Sequence, residues 1–492
     1  MLQSAGSGPR TPQEPVECAD SARPFCNAMS NNRFVVRALA PLLAFALSAC
    51  AGNSRPDTPV AETPQDGWAR AADVSDPVTL DWVAEISNDA ITALVREALD
   101  SNFDLKQQQL LLEDARQSVI VTGADRWPSL SASLGSNRRG TEVGSGGSDI
   151  VGTNFSLDAN LAWELDIWGG LSDAARAASL EYDSDLASFE AARRDLVANT
   201  VSLAYEAIAA RQLLDLFKQR LVSLESTYDI VNGNYQRGLT GALDVYLAQN
   251  SLEQQRETVA QQRQNALEAT ANLQLVLGRY PSGDMALPTS TPFVQTAVPA
   301  GLPSELLVRR QDIVAAWLGL LAADARVAVA QKNRFPRLTL TASGGQSSTS
   351  LGDIIDTDTT SWSVASSLTQ PIFQAGRLRA AKLQAEARAQ ALEQQYLAQV
   401  HRAFADVENA ISRAESLDQR YAALLKAESN ARTAETLSLE QYQRGLVSFT
   451  TVLEAQRRAF DTGTSLVRVR TQLVQNRVTL YQALGGEFVL DE

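Results

Sequence analysis

The chain of 492 residues is poor in the side chains that carry most bond-making chemistry. It has one histidine, His401, three methionines and three cysteines, and all the cysteines (Cys18, Cys26 and Cys50) fall in the first 50 residues. His401 sits in a helical stretch with Gln399, Arg402 and Asp406, which reads as a helix surface. A histidine-based catalytic base or metal centre therefore has little to stand on, and no metal ligand set is assigned. The cysteine positions exclude a disulfide framework or thiol chemistry downstream. Three methionines suggest no soft-metal lining. No nucleophile motif or phosphate-cradling loop occurs, so a secreted enzyme is the weaker class. A net charge of −14 argues against nucleic acid as a partner. Beyond residue 50 we find no 18-residue apolar run. If that part of the chain crosses a membrane, it does so as a β-barrel.

What the sequence does have is a copy of itself. Tyr235-Gln236-Arg237-Gly238-Leu239 returns as Tyr442-Gln443-Arg444-Gly445-Leu446, and Leu277-Gly278 returns as Leu484-Gly485. Pro128 to Leu130 returns at Pro336 to Leu338. A unit of roughly 200 residues, too long for a solenoid or propeller blade, occurs twice and reads strand, strand, long helix, tight turn, helix. The expected division is a first repeat over 89–285, a linker over 286–302 and a second repeat over 303–492, preceded by an extended segment over 50–88.

The N-terminus reads as an export signal. Arg33 and Arg37 precede an apolar run from Ala38 to Leu47, which ends in Leu47-Ser48-Ala49-Cys50. This run is far short of a spanning helix of roughly 20 residues. Its ending resembles a bacterial lipobox, which implies acylation of Cys50 and cleavage before it; a plain signal peptide with a chance cysteine is the alternative. Several acyl chains at ~0.8 kcal/mol per buried methylene anchor a protein where one does not. Ala51, in place of an aspartate, is compatible with sorting to the outer membrane. Residues 1–28 are polar and proline-rich and precede Met29, so 29–49 is expected to be the signal and 1–28 to lie upstream of the true start. The first 49 residues hold four arginines and three acids, so their removal takes the net charge from −14 to −15.

The strands are amphipathic. From Phe155 to Ile167 apolar residues alternate with Ser156, Asp158, Asn160, Ala162, Glu164 and Asp166, a period of two. One face suits lipid and the other water, and Trp163 and Trp168 suit an interfacial girdle. The partner strand begins near Leu130, joined by a Gly/Ser loop from Gly135 to Asn154. The second copy offers Leu338, Leu340 and Ala342, then Trp362, Val364, Ser366 and Leu368. A soluble sandwich is the alternative. Four strands cannot close a membrane barrel, which needs about eight, so either the sheet is soluble or several chains share one barrel.

Long helices follow. Gly170 to about Asn234 contains no proline, and Leu203, Ala207, Ala210, Leu214, Phe217, Leu221, Leu224, Tyr228, Val231 and Tyr235 follow the three–four spacing of a coiled coil. Gly376 to about Tyr442 is as long. Shorter helices are expected over Asp89–Thr122, Ala242–Leu277, Ser304–Lys332 and Ser448–Leu484. Gly238 and Gly445 punctuate the two turns, where positive φ is useful, and the near-identical turns are expected at one end of the molecule. Asp244 and Glu454 follow the turns; helix-start acids that favour the macrodipole are the ordinary reading.

Together, Leu-Ser-Ala-Cys50, the duplicated unit, Trp127-Pro128, Phe335-Pro336, Pro371-Ile372-Phe373, Arg-Gly-Leu at both turns and Ala483-Leu484-Gly485-Gly486 resemble the outer-membrane efflux family of TolC/OprM-like channels, in its lipoprotein branch. The resemblance covers the whole chain after Cys50. It implies an α+β membrane channel: a homotrimer whose twelve strands, four per chain, form one outer-membrane β-barrel continued by a long periplasmic α-helical barrel. It also implies no enzymatic activity, no cofactor beyond lipid on Cys50, and two partners: a periplasmic membrane-fusion adaptor and an inner-membrane pump, proton-driven in the preferred version. The adaptor-binding tips carry over to Arg237, Gly238, Leu239 and Thr240 and to Arg444, Gly445, Leu446 and Val447. The periplasmic gate carries over to Thr451 and Glu454, with Asp244 beside the first turn. Some members have aspartate at both constriction positions, so Thr451 departs from that version. An exit duct for type I protein secretion is the near alternative. A lipoprotein adaptor, which has one hairpin rather than two, is the more distant one.

Overall fold

The computed structural model describes residues 68, 82–141, 150–289, 303–355, 360–486 and 488, all within a compact unit from Pro59 to Glu492. The signal segment, Cys50 and most of the 50–88 and 286–302 segments lie outside the described residues.

The elements run α1 (Trp82–Ile86), α2 (Asp89–Ser101), α3 (Phe103–Ala124), β1 (Ser129–Thr141), β2 (Ile150–Leu165), α4 (Gly170–Gln236), α5 (Ala242–Val276), α6 (Pro303–Arg309), α7 (Gln311–Lys332), β3 (Arg337–Ser348), β4 (Thr360–Thr369), α8 (Arg377–Gln443) and α9 (Phe449–Ala483). The duplication is metrical. α3 and α7 have 22 residues each, α4 and α8 have 67, and α5 and α9 have 35. At ~1.5 Å per residue the long helices run about 100 Å. Each begins after a left-handed glycine, Gly169 at φ 74° and Gly376 at φ 84°. In the first copy the Asp166 carboxylate also accepts from the backbone N–H groups of Leu171 (3.0 Å) and Ser172 (2.7 Å).

Several expectations needed correction. The helix expected over Asp89–Thr122 breaks at Asn102, where ψ is 129°. Its side chain accepts from Leu105 N–H to start α3, and its amide donates to Val276 O, both at 2.9 Å. The equivalent helix of the second copy breaks at Arg310, where ψ is 113°. The segment from Gly135 to Asn154 is not simply a loop. Both strands continue into it, with Gly135 opposite Ser156 and Thr141 opposite Ile150, because ladder hydrogen bonds tolerate serine and glycine when the partner strand is in register. Conversely, β2 stops at Leu165, so Ile167 and Trp168 lie in the following turn. Tyr235, assigned to the apolar seam of α4, is 46% exposed, whereas Tyr442, its counterpart in the second copy, is buried. Finally, α7 is apolar and long enough to cross a membrane, contrary to the expectation for residues after 50. It is instead held between α4 and α8, and its charged Arg326 pairs with Glu181 on α4.

The principal core lies where α4, α5, α8 and α9 meet α1 and α2, around Val201, Tyr205, Leu273, Val400, Val407, Val474 and Tyr481. The Tyr205 hydroxyl donates to Ile86 O, and Trp82 stacks on Tyr481 with ring centres 5.6 Å apart. These contacts seat the short N-terminal helices against the long ones.

Candidate functional site

Two surfaces carry the functional signal: the four-stranded sheet and, at the far ends of the long helices, the paired turns. The sheet is antiparallel in the order β1-β2-β3-β4. Residues directly opposite in such a ladder share a face, so the register sorts the side chains. Leu130, Leu161 and Ala342 fall in one row with Val364, and Trp163, Leu340 and Ser366 in another. The other face carries Ser131, Asn160, Ser343 and Ser363, with Asp158 opposite Ser133 and Gly345. Apolar side chains thus share one face and are open to the surroundings: Leu130 is 75%, Trp362 78% and Val364 72% exposed. Phe155 and Trp163 lie eight residues apart on that face, ~26 Å along the strand, close to the apolar height of a membrane barrel, ~25 Å. At the helix end, the Trp163 indole donates to Arg126 O (3.0 Å), and that of Trp168 to Pro336 O (2.7 Å). Among the described residues, strands β1 and β4 each have a single partner, so each leaves one edge of backbone donors and acceptors unpaired there.

The turns share one geometry. Gly238 (φ 75°) and Gly445 (φ 72°) are left-handed, and a Cβ at either would meet nothing within 4 Å, so φ alone demands glycine. Gly238 N–H donates to Tyr235 O (2.8 Å) and Leu239 N–H to Asn234 O (2.9 Å). Gly445 and Leu446 repeat this with Tyr442 O and Gln441 O, both at 2.9 Å. This is the paired hydrogen-bond closure of a Schellman motif. Leu239 and Leu446 are 71% and 70% exposed; Arg237 and Arg444 are exposed and Thr240 and Val447 half-buried. The structure brings the two turns together, because Val231, Ala248, Tyr442, Phe449 and Val452, from all four helices, form one apolar cluster behind them.

The three gate positions differ in setting. The Thr240 hydroxyl donates to the Asp244 carboxylate. In the duplicated frame Asp244 corresponds to Thr451, and Glu454 to Leu247, so the two acids that follow the turns are not equivalents. Thr451 is exposed, its hydroxyl 3.1 Å from that of Ser448. Glu454 lies one turn further on and is held by Arg458 (2.8 Å) and Arg457 (2.9 Å). Hydrogen bonds from Arg458 and then Arg457 hold its carboxyl below the usual carboxylate range. Sequence reasoning did not single out these two arginines, although their i+3 and i+4 spacing from Glu454 was the signal. Behind them, Gln456 on α9 donates to Thr227 on α4 (3.0 Å). His401 is exposed on α8, and Cys50 lies outside the described residues.

Comparison with known proteins follows the same lines. The outer membrane efflux protein family matches residues 94–279 and 302–486, once per copy of the repeat. The chain is 34% identical over 474 residues to the outer membrane protein OprJ of Pseudomonas aeruginosa, covering 93% of this chain and 97% of that one. It is 30% identical to the probable outer membrane lipoprotein SilC of Salmonella typhimurium over 81% of this chain and 86% of that one. A crystal structure of a membrane protein from Pseudomonas aeruginosa superposes with a TM-score of 0.79 at 31% identity, covering 88% of this chain and 99% of that one. The chain belongs to the outer membrane efflux protein family: it is a non-enzymatic efflux channel protein of the outer membrane.

Proposed function

We propose that three copies of this outer membrane efflux protein form one duct that carries drugs or other small molecules from an inner-membrane, proton-driven pump, through a periplasmic adaptor, to the exterior. The observation that carries this reading is the open sheet. An apolar face of barrel height needs lipid, and in lipid every unpaired backbone group costs several kcal/mol, so β1 and β4 must find partners on other chains. Three chains supply twelve strands. The opposite face, lined by Ser131, Asp158, Asn160 and Ser343, then borders a wet lumen.

At the far end, the exposed Arg237-Gly238-Leu239-Thr240 and Arg444-Gly445-Leu446-Val447 are the adaptor contacts, since a free apolar side chain at a helix turn suits capture by a partner. Asp244, Thr451 and Glu454 lie just inside and form the gate, where Glu454 acts with Arg457 and Arg458. Cys50 carries the lipid anchor, a reading supported by the lipobox and by likeness to a protein named as a lipoprotein. Photo-crosslinking from Ser448 in living cells, with mass spectrometry of the captured protein, tests the assignment. Capture of an adaptor of a proton-driven pump is the expected result. An adaptor of an ATP-driven transporter would transfer the duct to protein secretion, and no periplasmic partner would remove the turns as the contact.

A further inference from the structure

The apolar face of the sheet carries a single charge. By the ladder register, the side chains that share a face with Leu130, Phe155 and Trp163 are the even-numbered ones of β1, β3 and β4 and the odd-numbered ones of β2. Among the described residues of that face every one is uncharged except Arg138. The other charges of the four strands, Asp158, Glu164, Arg139 and Arg337, all fall on the opposite, polar face. Arg138 is exposed, and no ion pair ties it to another described residue.

Its place along the strand fixes which side of the membrane it meets. Helix α3 leads into β1 at Ser129 and β2 leads out towards α4 after Leu165, so Thr141 and Ile150, which face each other, mark the end remote from the helices. With the helices in the periplasm, that end is the exterior one. Arg138 stands opposite Thr153, one row beyond Ser136, Phe155 and Ser348, ~7 Å further along the strand. Phe155 is the last aromatic residue of the face in this direction among the described residues. Around Arg138 the face turns polar: Ser136 and Thr153 stand where lower rows carry leucine and tryptophan.

A guanidinium on a lipid-facing strand is costly at the bilayer midplane and tolerated at the interface. There it suits an anion that accepts two parallel hydrogen bonds, and phosphate does so. The hydroxyls of Thr153 and Ser136 on the same face suit further phosphate or sugar oxygens. The exterior leaflet of a bacterial outer membrane is built of phosphorylated glycolipid, and its phosphates lie at the interface, the level that Arg138 occupies.

We propose that Arg138, with Thr153 and Ser136, is a binding site on the outward face of the sheet for the phosphate of an outer-leaflet glycolipid, one site per chain. The site holds the strands at a fixed depth in that leaflet. This rests on the reading of the apolar face as lipid-facing and adds a named lipid chemistry to it.

Native mass spectrometry of the full-length protein tests it, after purification in mild detergent, removal of lipid and addition of bisphosphorylated lipid A. The glycolipid is expected to bind the unsubstituted protein. Arg138→Gln is expected to lower its occupancy about fivefold, and so is removal of the two phosphates from the lipid A. Arg139→Gln, which removes the same charge from the polar face, is expected to bind as the unsubstituted protein does. Equal binding by Arg138→Gln, or an equal loss in Arg139→Gln, overturns the site. Phosphatidylglycerol bound through Arg138 as tightly as lipid A overturns the glycolipid as its occupant. A nitroxide on Leu134→Cys, two rows nearer the helices on the same face, reports on the lipid-facing reading separately, in the protein reconstituted into vesicles. Relaxation by dissolved oxygen rather than by a water-soluble nickel complex keeps that face in lipid, so that a missing Arg138 effect removes the glycolipid site alone. Relaxation by nickel instead removes the lipid-facing sheet and the site with it.

Discussion

Gln456 on α9 donates its side-chain amide to the Thr227 hydroxyl of α4 at 3.0 Å, across 229 positions of sequence. Both side chains are buried, and the bond ties the second helical hairpin to the first just behind the apolar cluster at the turns. Thr227→Val removes the acceptor and leaves a buried amide without it, at a cost of about 1–3 kcal/mol. A lower unfolding temperature in detergent is the expected result. An unchanged temperature would mean that water takes the place of the hydroxyl.

The turns are conformational necessities, separable from the contacts they make. Gly445→Ala and Gly238→Ala place a Cβ in the left-handed region, where an L-residue loses roughly 1–2 kcal/mol, even though nothing obstructs the methyl group. Each variant should be destabilised by about that amount, and asparagine at the same position by less. Calorimetry of these variants beside the unsubstituted protein decides this.

Leu239 and Leu446 make the opposite case. Both side chains are largely exposed, so Leu239→Ser with Leu446→Ser should leave the unfolding temperature within about 1 °C. Crosslinking to the adaptor from Ser448 should fall several-fold. Full crosslinking in the double variant would show that the apolar side chains are not the adaptor contact.

Glu454 should respond to mutation and to pH in a defined sense. Its carboxyl is held below the usual range by Arg458 and Arg457, so it stays ionised as pH falls through the ordinary glutamate value of about 4.3. The folded state is favoured wherever the unfolded chain binds the extra proton. That contribution is therefore fully present above the unfolded value and disappears as pH drops through the lowered folded one. Cation preference in single-channel recordings should accordingly persist to a lower pH than an unpaired glutamate allows. Glu454→Ala leaves Arg458 without its carboxylate and Arg457 with Asp461 alone, 3.9 Å away, and block by multivalent cations should weaken. Block identical to that of the unsubstituted channel would take Glu454 out of the gate.

Much of the architecture was legible because it depends on local rules. Period-two alternation marked the strands, three–four spacing marked the long helices, and Gly238 and Gly445 announced the turns. Strand ends were less legible: Gly135 to Gly140 is mostly glycine, serine, asparagine and arginine, weak strand formers, and it joins the sheet because Val151 to Ser156 lies in register opposite. The breaks at Asn102 and Arg310 also escaped notice, since both residues are tolerated within helices; Asn102 is a boundary because it caps Leu105 N–H and donates to the distant Val276 O. Arg457 and Arg458 were visible as letters, but their grip on Glu454 needed a helix to place them.

The sequence by itself determined that this chain is two copies of one plan, with strands fit for lipid and water and helices fit for coiled-coil contact, because hydrophobic period and glycine position act over a few residues. The tertiary structure decided which faces stay uncovered. The free edges of β1 and β4 and the exposed leucines at the turns follow from what packs against what, a relation between residues hundreds of positions apart that no local pattern encodes.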